Sequence, residues 1–455
     1  MVAVLALLLS PAVDPARTAG ASTRLARLAA PAPSASGSTG NRAAASSVAL
    51  LGGAASRKLG SADPKVATGI ASLRSKLEHQ MSIAGKASGA YVYDITSGKT
   101  LFQSRAQVTR APASIEKLYT STAALMRMGP TARLTTTVLS TGHLGAGGVF
   151  DGNLYLHGGG DPTFGTRAFI ASHYGNNGTS VSALVEQLKR SGIRSVDGDI
   201  EGDESYWDFL RGDPSSGYAP DIYLEGTLSA LEFDRGETGG LTGQHAPAAY
   251  AAEQLEDALD AAGVKVHGSS GAAEAPSSAT QLAAASSPQL AVLLGIMLPP
   301  SDNFFAESLV KDLGARYGGA GTTRAGVAIV RAEIEKLGLQ PQIVDGSGLD
   351  PVDHTSPAQV VQLLETLSGT QDGEILRGDL AVAGESGTLE ERMRGSFAAG
   401  RCQAKTGTLT GVSNLAGYCE AANGNLIAFA VFNDQIELYA AHTIQDAMAE
   451  TVADY

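Results

Sequence analysis

Hydrophobic and polar positions along the chain change period several times, and each change marks an element. Residues 66–83 (VATGIASLRSKLEHQMSI) space their apolar positions three and four apart, which predicts an amphipathic helix. GAYVYDITSGKTLFQS then alternates about Ser97-Gly98, predicting two strands joined by a turn. In APASIEKLYTSTAALMRMG, Pro112 precedes a helix that buries Ile115, Leu118, Leu125 and Met126 and stops at Gly129-Pro130.

Residues 135–285 read as a separate unit. Short strands (LTTTVLST, NLYLHG, and others near VDGDIEGD) are mixed with helices at VSALVEQLKRSG and AAYAAEQLEDALDAAG. The Ala/Ser-rich stretch 269–287 reads as a surface connector. Residues 289–298 and 304–318 then predict two helices broken by PPSDN, followed by a helix at TRAGVAIVRAEIEKLG. A hairpin over 401–420, the strand LIAFAVFND and a helix over 437–452 close the chain. The expectation is one α/β (α+β) domain, residues 63–135 and 289–455, interrupted by an inserted domain at 136–288.

The N-terminal segment follows other rules. Residues 2–9, VAVLALLL, have the length of a signal-peptide apolar run, too short to span a bilayer as a helix. From Pro15 to Ala62 the chain is rich in Ala, Ser, Thr, Gly and Pro, with several Arg and no Asp or Glu. Such a composition buries no core, so residues 1–62 are expected to be an export signal and disordered leader. An acid-poor, Arg- and Ser-rich leader also fits an organellar transit peptide. Export favours an extracytoplasmic location, secreted, periplasmic or cell-wall associated. No later stretch predicts a transmembrane span.

Composition narrows the function classes. At 455 residues, with 43% hydrophobic residues and 55 glycines, the chain is globular, turn-rich and long enough for two or three domains. A formal charge of -13 argues against nucleic acid or an anionic membrane as partner. The eight histidines are scattered and the two cysteines are not at zinc-ligand spacing, so neither metal nor cofactor is implied.

Three short motifs carry the candidate chemistry. Ser114-Ile115-Glu116-Lys117 sets a hydroxyl and an amine three residues apart at a helix start, on one face, where the amine can activate the serine. Ser301-Asp302-Asn303 lies between two helices, where a hydroxyl can relay a proton and an amide can grip a substrate amide. Lys405-Thr406-Gly407-Thr408 falls in a strand, where Lys and Thr can bind a carboxylate and Gly lets substrate approach the backbone. Singly each reads as a capped helix, an N-cap or a basic strand. Their order, on helix, loop and strand, is the signature of penicillin-recognising serine enzymes.

The chain further resembles the class C low-molecular-mass penicillin-binding proteins over about residues 66–450. The segments NLYLHGGGDPTF, GTLSALEFDRG, PPSDNFFAESLVKDLG, IVDGSGLD and AKTGTLTGVSNLAGY carry that likeness. The resemblance implies a serine D-Ala-D-Ala carboxypeptidase or endopeptidase with a transpeptidase/β-lactamase-like domain, an antiparallel sheet flanked by helices. It implies peptidoglycan stem peptides and β-lactams as partners. Ser114 would be the nucleophile, Lys117 its base, and Ser301 and Asn303 the relay and substrate contacts. Lys405 and Thr406 would hold the terminal carboxylate, with the backbone N–H groups of Ser114 and Thr408 as the oxyanion hole. In Asp203-Glu204-Ser205-Tyr206-Trp207, which looks like an Asp-Asp-Ser-Tyr-Phe stretch of the family, Glu204 and Trp207 would contact the peptide side chain. The chain departs from the family where Ser-Arg commonly follows DGSGL, because Asp350-Pro351 stands there. DGSG itself, Asp345 to Gly348, reads as a structural turn.

Two other classes remain: a serine β-lactamase-like hydrolase, for which no class-A-like deacylating carboxylate motif is evident, and a non-catalytic cell-wall binding protein. A triad hydrolase lacks its GxSxG. Finally, in a hairpin centred on Thr410-Gly411, Cys402 and Cys419 fall opposite each other, which predicts a disulfide bracing the strand of Lys405.

Overall fold

The strand Leu426–Asp434 explains why two helical layers cover one sheet. Its residues Ile427, Phe429 and Val431 point to one face and Ala428, Ala430 and Phe432 to the other, all buried. A strand apolar on both faces needs cover on both. In the computed structural model, which describes residues 64–236 and 246–455, that cover is complete. The terminal helices Pro64–Ala84 and Leu438–Ala453 seal the first face through Leu73, Leu77, Ile444 and Met448. Helices Glu116–Met128, Asn303–Tyr317, Thr323–Glu335 and Pro357–Leu367 seal the second through Leu118, Leu309, Val330 and Val361. The expected leader over 1–62 lies outside the described residues.

The sheet has six antiparallel strands in the order Ala381–Val382, Cys402–Leu409, Val412–Glu420, Leu426–Asp434, Gly89–Asp94, Lys99–Ser104. The outermost strand pairs only with Ala404 and Gln403. From Lys405 onward the outer edge of the hairpin therefore has no strand partner among the described residues, and an extended peptide can pair there.

Residues 135–286 build a second sheet in the order Ser270–Ala272, Ile200–Asp203, Leu154–His157, Thr135–Ser140, Thr280–Ser286. Helices Val181–Arg190 and Pro247–Ala261 close a separate apolar cluster over it. The stretch expected as a surface connector is thus two strands. Its last strand pairs antiparallel with Thr135–Ser140 and buries Ala283 and Ala285, so period-two burial on an existing sheet edge overrides a composition poor in strand formers.

Cys402 and Cys419 are directly opposed and disulfide-bonded, with Cα atoms 4.1 Å apart. Both are fully buried against the terminal helices. Reduction is expected to cost about 3 kcal/mol of stability for a loop of this length, read as a lower urea midpoint. Equal midpoints before and after verified reduction would refute it.

Candidate active site

The turn before the helix Glu116–Met128 is held open in an unusual shape. Ala113 is left-handed (φ 49°), and Ala113–Ile115 forms a tight turn that leads into the helix. Asn414 of the neighbouring strand donates to the carbonyls of Ala111 and Pro112, both at 2.9 Å. This turn sets Ser114 at the wall of a cleft of about 640 Å³, shared with Asn303, Gly348, Thr408, Asp221 and Tyr223.

Lys117 lies one helical turn on and is fully buried. Its Nζ donates to Ser114 Oγ at 2.9 Å, to Asn303 Oδ1 at 2.6 Å and to the Ser347 carbonyl at 2.8 Å. Burial pushes the ammonium down to about 8, opposed by the carboxylates of Asp345, Glu307, Asp302 and Glu225. Lys405 is also buried and is pushed well below the ordinary lysine range, by burial first and by Lys117 second. The two amines are therefore close enough to repel.

Of the SDN triplet, only Asn303 bonds Lys117. Its amide also donates to the Tyr223 carbonyl at 2.7 Å, so the segment carrying Tyr223 reaches Lys117 through one side chain. Asp302 caps the helix Asn303–Tyr317 by accepting from Phe305 N at 3.0 Å and pairs with the buried Arg235. Ser301 is half-buried and left-handed (φ 72°) on the turn before it; neither Ser114 nor Lys117 bonds its hydroxyl.

On the strand, Lys405 Nζ donates to the Thr406 carbonyl at 3.0 Å, and Thr406 Oγ1 to Thr388 Oγ1 at 2.8 Å. Thr408 is exposed to the cleft. Gly407 also packs closely on the turn before the helix Glu116–Met128. A Cβ there would lie 2.6 Å from the Pro112 carbonyl and 3.1 Å from Ile115 N, so the glycine admits the turn that carries Ser114.

The structure does not bring Glu204 and Trp207 to the cleft. Arg211 grips Glu204 with two hydrogen bonds, at 2.5 and 2.7 Å, and the Ser229 hydroxyl donates to it at 2.5 Å. Trp207 is buried, with Lys311 over its ring. The insertion residues that do line the cleft are Ser215, Asp221 and Tyr223. Sequence reasoning missed these, and also missed the Ser347 carbonyl, because a backbone acceptor leaves no mark in side-chain identity.

A buried lysine bonded to a serine beneath the free edge of an antiparallel sheet defines the penicillin-recognising serine hydrolases as the class of this fold and site. The D-Ala-D-Ala carboxypeptidase 3 (S13) family matches residues 70–223 and 221–455, and the chain belongs to that family; it is a DD-peptidase. The D-alanyl-D-alanine carboxypeptidase of Actinomadura sp. (strain R39) is 30% identical, over 82% of each chain. Carboxypeptidase DacB of Mycolicibacterium smegmatis is 28% identical, over 75% of each. The fold is that of penicillin binding protein 4 (dacB) from Haemophilus influenzae, with TM-score 0.68 at 22% identity, covering 83% of this chain and 99% of that one. No helix among the described residues is long and apolar enough to cross a membrane.

Proposed function

We propose that this chain cleaves D-Ala-D-Ala stem peptides of peptidoglycan, and is acylated by β-lactams, through an ester on Ser114. One observation carries the reading: a lysine stripped of much of its basicity donates to Ser114 Oγ at 2.9 Å. When Lys117 is neutral the same contact reverses, and the amine takes the hydroxyl proton as Oγ attacks the penultimate carbonyl carbon. The C–N bond then breaks, the departing D-Ala amine takes that proton, and water hydrolyses the ester. Asn303, Lys405, Thr406 and Thr408 are assigned to substrate binding. An arriving C-terminal carboxylate would restore the charge on Lys405 that burial suppresses. Ser301 is assigned a part in proton relay that requires its hydroxyl to turn toward the cleft once substrate is bound.

Residues 63–135 and 289–455 are assigned to the peptidase domain and residues 136–288 to the insertion. The separate apolar cluster of the insertion supports that division. Extracytoplasmic action is supported by the bridged cysteines, which an oxidising compartment maintains.

The test is to follow a D-Ala-D-Ala peptide and benzylpenicillin side by side. A peptidase releases D-Ala from the first and stalls on the second with one adduct per chain. Rapid turnover of penicillin without peptide cleavage would make it a β-lactamase, and no reaction with either would make it a binding protein.

A further inference from the structure

We propose that Glu307 is a positioning residue for the catalytic lysine, acting through the buried turn of residues 345–348. This rests on Lys117 being the base for Ser114.

The geometry begins on the helix Asn303–Tyr317. Asn303 and Glu307 are four residues apart and share a face. Asn303 binds Lys117 directly, whereas Glu307 binds it at one remove. Glu307 Oε1 accepts from Gly346 N at 2.9 Å and from Ser347 N at 2.8 Å. The Ser347 carbonyl in turn accepts from Lys117 Nζ at 2.8 Å. One helix thus fixes two of the three partners of the lysine, and the third is the nucleophile.

The other hydrogen bonds to this turn come from its own aspartate and from the helix Glu116–Met128. Asp345 holds it from within, accepting from Ser347 N at 3.1 Å, Gly348 N at 2.6 Å and Asp350 N at 2.7 Å. Thr120 donates to the Gly346 carbonyl at 2.8 Å. Glu307 alone ties the turn to the SDN helix. It is fully buried, and its Oε2 has no hydrogen-bond partner among the described residues. A carboxyl kept buried with one oxygen unsatisfied is costly for packing alone.

Its charge also reaches the lysine. Burial, then Asp345, pushes the Glu307 carboxyl up to about 8, the range to which burial lowers Lys117. An ionised Glu307 is one of the carboxylates that oppose the lowering of Lys117 by burial. The remaining charged neighbours are Glu116 on the nucleophile's helix, Asp345 with Asp353 behind it, Asp213 and Tyr218 of the insertion, and Lys311 one turn on. Asp302, Glu225 and Lys405 act on Lys117 from other sides. When Glu307 is ionised it favours the ammonium form of Lys117 and raises its proton affinity.

The test is the pH dependence of the benzylpenicillin acylation rate in the full chain. Glu307→Gln keeps the acceptor oxygen and cannot ionise. It is expected to acylate, with the rising limb moved to lower pH by roughly one unit. Glu307→Met removes the acceptor and is expected to lose roughly tenfold or more in rate at every pH. A wild-type limb in Glu307→Gln together with a wild-type rate in Glu307→Met overturns the proposal. If neither variant folds, Glu307→Asp decides. Its shorter carboxylate cannot hold both N–H groups, so the rate should fall severalfold, and an unchanged rate overturns the proposal. Wild-type protein that is never acylated would instead overturn the assignment of Ser114 and Lys117.

Discussion

Benzylpenicillin is expected to add one acyl group to the wild-type chain, on the peptide containing Ser114, and none to Ser114→Ala. Lys117→Ala should lose at least about 10³-fold in acylation rate, because no other base bonds the hydroxyl. The alternative base would be Lys405, but its bonded partner is the Thr406 carbonyl, not Ser114. The pH profile gives a second reading of the same assignment. A base with its pKa at about 8 is only about one-tenth neutral at pH 7. The wild-type rate should therefore rise with pH through about 8 and flatten above it. Lys117 is buried and Ser114 half-buried, so each variant is compared by urea midpoint before its rate is interpreted. Normal labelling of a folded Ser114→Ala, or a Lys117→Ala rate near wild type, would defeat the mechanism.

The side chains that meet at Lys117 were legible in the sequence, and the carbonyl groups that hold them there were not. Ser114, Lys117 and Asn303 carry chemistry in their identity, and the fold joins them by direct hydrogen bonds. Toward Lys117 and Asn303, Ser347 and Tyr223 present carbonyl oxygens, which any residue supplies. Glu204 does not line the cleft, and Arg211, seven residues on, bonds both of its oxygens. The stem of the fold read well from periodicity: the hairpin register, the terminal helices and the strand at 426–434 lie where alternation places them. The helix Pro357–Leu367 was passed over, although Ser356 caps it, Pro357 opens it, and Val360, Val361, Leu364 and Leu367 give its buried stripe. The strands between 270 and 286 carried no such signal, since alanine and serine alternate without contrast and only the neighbouring sheet edge selects their conformation.

Gly348→Ala is expected to cut acylation by roughly 10²-fold, the largest effect of any substitution that leaves every catalytic side chain in place. Gly348 is left-handed (φ +82°), and a Cβ there would lie 2.0 Å from the Ala113 carbonyl oxygen and 3.0 Å from Glu116 Cβ. The first neighbour is backbone and cannot rotate away, so the residue just before Ser114 must shift. That residue is itself left-handed, and Asn414 anchors the segment just before it. A displacement therefore passes to Ser114 rather than into the loop before it, and it lengthens the contact to Lys117. The strained backbone and overpacking should also cost about 2–4 kcal/mol of stability. Gly407→Ala presses the same turn, with a Cβ 2.6 Å from the Pro112 carbonyl. It lies in an extended strand without positive φ, so its stability loss should be smaller while its acylation defect persists. The two rates, each measured on protein shown to be folded, separate a misplaced nucleophile from a weakened fold. Wild-type acylation in both variants would mean that the turn carrying Ser114 yields freely and that neither glycine positions it.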